Sequence, residues 1–118
     1  MLIDDSPVSN FISKGIMQLN NFADNIVVSE FPDEALKLLK EGSVAPDIIF
    51  LDIEMPRMDG FQFLEEYDKI EIDKSHTKIF MLSSSVNPID IERAEANKYV
   101  SRFISKSLTP GILLELAS

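Results

Sequence analysis

Five polar residues follow short apolar runs in this sequence and are of the types that bind metal ions or phosphoryl groups. Asp4 and Asp5 follow the first run, Asp52 the third, Ser83 the fourth and Lys106 the fifth. If the first and third runs form neighbouring strands, the three acids share one pocket. Two unit charges about 4 Å apart repel by roughly 4 kcal/mol at an effective dielectric constant near 20. Either one carboxyl then stays protonated, or a divalent cation binds. Hard oxygen ligands without a nearby His or Cys favour Mg²⁺ or Mn²⁺ over zinc.

Such a pocket suits a phosphoryl group. A cation and Lys106 would neutralise phosphoryl oxygens, Ser83 would donate a hydrogen bond, and a carboxylate such as Asp52 could attack phosphorus to form an acyl phosphate. Taken singly, each feature has an ordinary structural explanation, because acids after an apolar run usually form turns or caps. Their combination at one edge of a predicted sheet favours the chemical interpretation.

The apolar runs predict the strands that position these residues. They are continuous rather than alternating, which is typical of strands buried on both faces of a parallel sheet. The runs are Met1–Ile3, Ile26–Val28, Ile48–Leu51, Ile79–Leu82, and Tyr99–Val100 with Phe103–Ile104. Strand followed by helix, five times over, predicts a doubly wound α/β sheet with helices on both faces. Ligands of such sheets bind outside the carboxyl ends of the strands.

The intervening segments predict helices with definite starts. A capping side chain followed by proline begins three of them, at Ser6-Pro7, Asn87-Pro88 and Thr109-Pro110. In the first helix, apolar residues fall at helical spacing along one face, which is therefore the face expected to pack: Val8, Phe11, Ile12, Ile16 and Leu19. The fourth helix, about 88–97, is more polar, and its modest apolar face fits either a helix that is free to shift or a short solvated helix.

Composition narrows the class of protein. A length of 118 residues with 45% hydrophobic residues predicts one domain over residues 1–118. The net charge of −9 disfavours nucleic acid and anionic membranes as partners. The chain has no cysteine, which excludes disulfides and thiolate metal sites. No signal-peptide or membrane-spanning pattern is present, so we expect a cytoplasmic location. The single histidine, His76, lies in a polar stretch and is expected to face solvent.

These motifs resemble the receiver domain of bacterial response regulators, and the resemblance covers essentially the whole chain. Leu2–Pro7 is similar to the family's first strand with its acidic pair, and Asp47–Gly60, DIIFLDIEMPRMDG, matches its phosphorylation segment almost residue for residue. Phe80–Ser84 and Phe103–Lys106 match the fourth and fifth strands with their hydroxyl and lysine. The resemblance implies a flavodoxin-like sheet of five parallel strands in the order 2-1-3-4-5.

The resemblance also implies a phosphoacceptor and a metal. Asp52 would accept a phosphoryl group from a histidine kinase or a histidine phosphotransfer protein. Asp5 and Asp52 would bind Mg²⁺ directly, Asp4 mostly through water, and Glu54 through its backbone carbonyl. Apart from its own phosphoryl transfer and hydrolysis, the domain would catalyse nothing, so it would not be an enzyme in the usual sense.

The same resemblance implies how the signal is passed on. Ser83 and Lys106 would hold the phosphoryl oxygens, and Phe103 occupies the family's aromatic switch position, turning inward when Ser83 moves. The surface of the fourth helix, fifth strand and fifth helix would then bind a downstream protein or form a homodimer. One departure is Ser107, where the family usually has a proline after a cis bond, so the Lys106–Ser107 bond is either cis or trans with a reshaped loop.

Two other functions stay open at this level. A receiver fold that no longer phosphorylates would act as a protein-interaction module, although Asp5, Asp52, Ser83 and Lys106 together argue against it. A small Mg²⁺-dependent phosphohydrolase of the aspartyl-phosphate type would use Glu54, two residues after the nucleophile, as a general acid. The chain has little material for the substrate-binding cap of such an enzyme.

Overall fold

A computed structural model describes residues 1–117, in which strands and helices alternate along the chain. The strands are β1 (Leu2–Ile3), β2 (Val28–Ser29), β3 (Ile48–Leu51), β4 (Lys78–Ser83) and β5 (Val100–Ser105). The helices are α1 (Pro7–Leu19), α2 (Pro32–Glu41), α3 (Gly60–Lys69), α4 (Pro88–Ala96) and α5 (Pro110–Ala117). Within these described residues, no helix is both long and apolar enough to cross a lipid bilayer.

The strands form one parallel sheet in the order β2-β1-β3-β4-β5, which confirms the predicted fold class and strand order. β1 lies between β2 and β3, with Leu2 paired to both Val28 and Phe50. Beyond the last pair, the amide of Asp52 donates to the carbonyl of Ile3 at 3.0 Å. The chain leaving β3 is therefore still hydrogen-bonded to the chain leaving β1, and this places the acids that follow the two strands side by side.

Alternating side chains of the central strands build a core on each face of the sheet. Ile49, Leu51 and Met81 belong to a cluster covered by α2, α3 and α4. Phe50 and Phe80, the neighbours on the opposite face, belong to a second cluster covered by α1 and α5. The ring centroids of Phe50 and Phe80 are 5.9 Å apart. Burial on both faces is therefore confirmed for β3 and β4, and this is why their sequences are continuously apolar.

The edge strands differ from the prediction. Val28 of β2 is 37% exposed, and Ser101 and Arg102 of β5 are exposed. Arg102 forms an ion pair with Glu115 at 2.8 Å along the outside of the sheet. Side chains at the margin of a sheet are covered less completely by the flanking helices, so burial on both faces was the wrong expectation for these strands.

The predicted packing face of α1 is wrong for four of its five members, whereas Ile16 is partly buried against the core. Four of its members are exposed, by 68, 80, 48 and 83%: Val8, Phe11, Ile12 and Leu19. The helix instead buries Asn10, Ser13 and Met17. The side-chain amide of Asn10 donates to the main-chain carbonyl of Asp4 at 2.7 Å. The buried face therefore satisfies a backbone carbonyl at the end of β1 through Asn10 and supplies apolar packing through Met17.

The three predicted caps are confirmed. Each capping oxygen accepts a backbone amide of the first helical turn, at 3.2, 3.0 and 3.1 Å: Ser6 from Ser9, Asn87 from Ile89, and Thr109 from Ile112. Proline occupies the first position of each of these three helices. These caps start α1, α4 and α5 within a few residues of the strand ends, close to the polar residues singled out above.

The orientation of α1 generates a test. Met17 is 3% exposed and packs in the core, so Met17→Ala is expected to lower the free energy of unfolding by about 2–5 kcal/mol. Phe11→Ser, at a position that is 80% exposed, should change it by less than about 0.5 kcal/mol. Urea denaturation measures both values. A larger loss for Phe11→Ser than for Met17→Ala would contradict the orientation.

Candidate functional site

Three carboxylates converge at the carboxyl edge of the sheet. Asp4, Asp5 and Asp52 each offer an oxygen that lies within 4.8 Å of the other two. Asp4 and Asp52 are only 7% and 8% exposed, whereas Asp5 is half-buried. The acids meet because β1 and β3 are neighbours and end at the same level. The structure thus brings together the acids that the sequence placed in one pocket.

Lys106 is the cation that meets this cluster. Its ammonium donates to Oδ2 of Asp4 and lies 3.7 Å from Oδ2 of Asp52. The lysine side chain is 18% exposed, so the interaction is largely shielded from solvent. The Lys106–Ser107 peptide bond is cis, which decides between the two conformations left open by the sequence. A single positive charge faces three carboxyl groups among the described residues, and the pocket stays short of positive charge.

Backbone amides fix two of the carboxylates. Oδ1 of Asp4 accepts from the amide of Ser6 at 2.9 Å, and Oδ1 of Asp52 accepts from the amide of Ile53 at 2.8 Å. These bonds orient each group so that its Oδ2 faces Lys106. Asn10, which holds the main chain of Asp4, was missed at the sequence level because nothing local distinguishes it from a solvated helix residue.

The electrostatics of the pocket are most visible at Asp52. Burial raises the pKa of Asp52 from 3.8 to about 6, and repulsion from the carboxylate of Asp4 acts in the same direction. Attraction to Lys106 and hydrogen bonds from the Ile53 amide and the Ser83 hydroxyl lower the pKa, but do not cancel the increase. The negative charge of Asp52 is therefore under-compensated in the protein alone.

Ser83 ends β4 beside the cluster. It is 1% exposed and pairs with Ser105 of β5, immediately before Lys106. Its hydroxyl oxygen accepts a hydrogen bond from the amide of Ser85 at 3.2 Å. The hydroxyl also lowers the pKa of Asp52 through a side-chain hydrogen bond. The buried hydroxyl of Ser83 therefore lies between Asp52 and the start of the β4–α4 loop and interacts with both.

Two other predicted residues lie outside the carboxylate cluster. Phe103 pairs with Met81, two residues before the level of Ser83, and is half-buried against the core on the α2–α4 side. His76 is exposed, as predicted, and its ring lies 4.0 Å from the carboxylate of Asp73.

The β3–α3 loop carries Asp52 and Glu54, and its return to α3 is tightly constrained. The side chain of Glu54 is exposed. The amide of Gly60 donates to the carbonyl of Ile53 at 2.8 Å, closing the loop. A Cβ on Gly60 would collide with the carbonyl oxygen of Asp52 and lie 3.0 Å from Cα of Ile53. Glycine at this position lets α3 start directly against the end of β3.

The donor set fits a hard divalent cation. All of the clustered ligand atoms are carboxylate oxygens, which Mg²⁺ prefers, and the described residues place no histidine or cysteine among them. The raised pKa of Asp52 shows that additional positive charge here would be stabilising.

The raised pKa of Asp52, caused by burial and by repulsion from Asp4, predicts how stability depends on pH. The pKa of Asp52 is higher in the folded protein than the usual 3.8, so the folded state binds the proton more tightly and loses stability as pH rises from about 4 to about 6. Asp52→Asn removes this loss. In the absence of divalent metal, we expect Asp52→Asn to stabilise the fold at about pH 8 by on the order of 1–2 kcal/mol, since solvent screens part of the repulsion.

The same substitution should stabilise the fold much less at about pH 4, where the proton already neutralises Asp52. Urea denaturation in EDTA at both pH values measures the difference. An equal effect of Asp52→Asn at the two values would contradict the proposed charge imbalance.

We compared the chain with known protein families, curated proteins and solved structures. The family model described as "Response regulator receiver domain" matches residues 1–118. A response regulator receiver protein from Dyadobacter fermentans is similar in structure, with a TM-score of 0.87, 30% identity, and coverage of 98% of this chain and 91% of that one. A two component response regulator from Cytophaga hutchinsonii gives a TM-score of 0.85 with 28% identity, covering 98% and 92% of the two chains.

Among curated proteins, the hybrid signal transduction histidine kinase C of Dictyostelium discoideum is 30% identical over 96% of this chain, which corresponds to 9% of the kinase. A protein-glutamate methylesterase/protein-glutamine glutaminase of Burkholderia thailandensis is 38% identical over 55% of this chain. That match spans 18% of the methylesterase, so the similarity concerns a small part of each of these longer proteins.

Proposed function

The chain belongs to the response regulator receiver domain family of two-component signalling, and from this premise we propose that Asp52 accepts a phosphoryl group from a histidine kinase or a histidine phosphotransfer protein. The observation that carries the proposal is the convergence of Asp4, Asp5 and Asp52 within 4.8 Å beside Lys106. The cytoplasmic location expected from the sequence is part of the proposal, and a nucleic acid or a membrane is not among its partners.

The hydrogen bonds of Asp52 indicate which oxygen reacts. Oδ1 is held by the amide of Ile53, whereas Oδ2 faces the ammonium of Lys106 at 3.7 Å. We therefore assign Oδ2 as the nucleophile. The Oδ2–P bond forms while the P–N bond to the donor histidine breaks, and the imidazole leaves with the electron pair and takes up a proton. Later attack of water on phosphorus releases inorganic phosphate and restores the carboxylate.

Asp5 and Asp52 would hold Mg²⁺ directly, with Asp4 acting mostly through water and Glu54 through its backbone carbonyl. When bound, the ion supplies positive charge that offsets the acids and the incoming phosphoryl oxygens. The support for this assignment is the all-oxygen donor set and the under-compensated charge of Asp52.

Lys106 and Ser83 would bind the phosphoryl oxygens. The ammonium of Lys106 now donates to Asp4 and lies near Asp52, so a phosphoryl group on Oδ2 offers it a more highly charged partner without a large displacement. Ser83 is buried at the end of the adjacent strand, and its hydroxyl could donate to the same group. Both residues bind substrate oxygens, and neither needs to transfer a proton.

We place the output of the domain on the surface formed by α4, β5 and α5. Ala94 is the buried residue of α4, so little apolar packing holds this helix. Its first turn is anchored by polar contacts instead, since the hydroxyl of Ser85 donates to Asp90 at 2.8 Å and the amide of Ser85 donates to Ser83 at 3.2 Å. Movement of the Ser83 hydroxyl toward a phosphoryl group would remove one of these anchors, and Phe103 would turn inward behind it.

A direct test is the intact mass of the protein after incubation with Mg²⁺ and acetyl phosphate. We expect one phosphoryl adduct on the unmodified protein and none on Asp52→Asn, because the variant lacks the nucleophilic oxygen. EDTA should suppress the adduct. A protein that gives no adduct and binds no Mg²⁺ would be a non-phosphorylated interaction module, and turnover of a small phosphomonoester would instead indicate a phosphohydrolase.

The anchor of α4 has a separate test. Ser85→Ala removes the hydroxyl that bonds Asp90, so the amides of residues 89–91 should exchange with solvent faster, by on the order of three- to tenfold. Ser75→Ala is a matched control, because Ser75 donates to Asp73 in an exposed loop at 2.6 Å. Hydrogen exchange read by mass spectrometry compares the two variants. Unchanged exchange in α4 for Ser85→Ala would contradict the proposed anchor.

Homodimer formation through the α4–β5–α5 surface is an expectation drawn from the family. Sedimentation with and without a beryllofluoride phosphate mimic tests it, and a monomer under both conditions would remove it from the proposal.

A further inference from the structure

Arg57 occupies a strained position at the tip of the β3–α3 loop. Its backbone φ is 69°, in the left-handed region that non-glycine residues seldom adopt. The amide of Met58 donates across it to the carbonyl of Pro56 at 2.8 Å, which makes a tight three-residue turn. Turns of this kind with positive φ are rare and need support from surrounding structure.

That support comes from the start of α2. One nitrogen of the Arg57 guanidinium lies 3.0 and 3.2 Å from the two carboxylate oxygens of Asp33, in the first turn of α2. The guanidinium also lies 4.3 Å from the centre of the Phe31 ring, immediately before that helix. An ion pair and a cation–π contact therefore tie the tip of the loop to the β2–α2 junction.

These contacts of Arg57 are important because the β3–α3 loop carries residues of the proposed metal site. Asp52 and Ile53 begin the loop, Glu54 follows, and Gly60 closes it through its hydrogen bond to Ile53. The two ends are therefore fixed by the sheet and α3, and Met55 is anchored in the core, while the exposed tip of the loop depends on the turn at Arg57.

We propose that Arg57 is a positioning residue that holds the β3–α3 loop, and with it the backbone carbonyl of Glu54, in the conformation that Mg²⁺ binding requires. This inference rests on the function proposed above for Asp52. Arg57 and Asp33 are about half exposed, with side-chain exposures of 53% and 48%, so their pairing contributes little to global stability. Loss of these two contacts should therefore make the loop less ordered and weaken metal binding, while the free energy of unfolding stays nearly unchanged.

Arg57→Gly is the informative variant, because glycine accepts the positive φ without strain while removing the tie to α2. Its Mg²⁺ dissociation constant should rise by about three- to tenfold, at or below the lower end of the losses of metal affinity seen when groups supporting metal ligands are removed. The amides of Glu54, Met55 and Met58 should exchange several-fold faster in the metal-free protein. Arg57→Lys should recover part of both losses. Asp33→Asn, which leaves the contact with Phe31, should reproduce part of the effect of Arg57→Gly and add nothing to it in the double variant.

Arg102→Ala is the matched control, since Arg102 is a 46%-exposed arginine paired with Glu115 at 2.8 Å on the far edge of the sheet. It should change neither Mg²⁺ affinity nor exchange in the loop. Calorimetric titration with Mg²⁺, hydrogen exchange in EDTA and urea denaturation provide the three measurements.

Three results would overturn the inference. Wild-type Mg²⁺ affinity in Arg57→Gly would do so, with or without faster exchange in the loop. A loss of affinity matched by an equal loss in Arg102→Ala would show a general charge effect. If the unmodified protein does not bind Mg²⁺, both the proposed function and this inference are wrong. If the unmodified protein and Arg57→Gly bind Mg²⁺ equally well, only this inference is wrong.

Discussion

The burial of acidic side chains where three carboxylates meet at one edge of the sheet is the constraint on which the site depends. Asp4, Asp5 and Asp52 meet because β1 lies between β2 and β3, and the hydrophobic core on each face keeps that strand order in place. Lys106 offsets part of the repulsion, chiefly at Asp4. Burial, with repulsion from Asp4, leaves Asp52 with a raised pKa, so the fold holds a poorly compensated charge at the residue proposed to accept the phosphoryl group.

Under the proposed function, this arrangement links binding and chemistry at Asp52 to distant parts of the domain. A cation would offset the charge of the acids, whereas a phosphoryl group would restore negative charge and offer Lys106 and Ser83 a new partner. The hydroxyl of Ser83 is already hydrogen-bonded to Ser85, which in turn bonds Asp90 in α4. The helix is held by polar contacts rather than by a large apolar face, so small changes at Ser83 alter its energy relative to the core.

The sequence predicted the central features because they depend on local patterns. Continuous apolar runs identified β3 and β4, and the rule that sites lie at the carboxyl ends of strands located Asp52 and its partners. The strand order came from the family resemblance and not from periodicity. The packing face of α1 was wrong because helical spacing reveals an apolar stripe without saying which side meets the sheet, and the buried face carries Asn10 instead. The role of Arg57 depends on a backbone conformation and a contact between distant segments, for which the sequence has no local signal.

The central claim is that burial and neighbouring acids leave Asp52 under-compensated until positive charge is added. The most direct measurement is a pH titration of the Asp52 carboxyl carbon by NMR, first in EDTA and then in saturating Mg²⁺. We expect a midpoint at about 6 without metal and a clearly lower midpoint with it, because a nearby cation favours the ionised form. A midpoint near the usual 3.8 in EDTA, or one that Mg²⁺ does not move, would contradict the account.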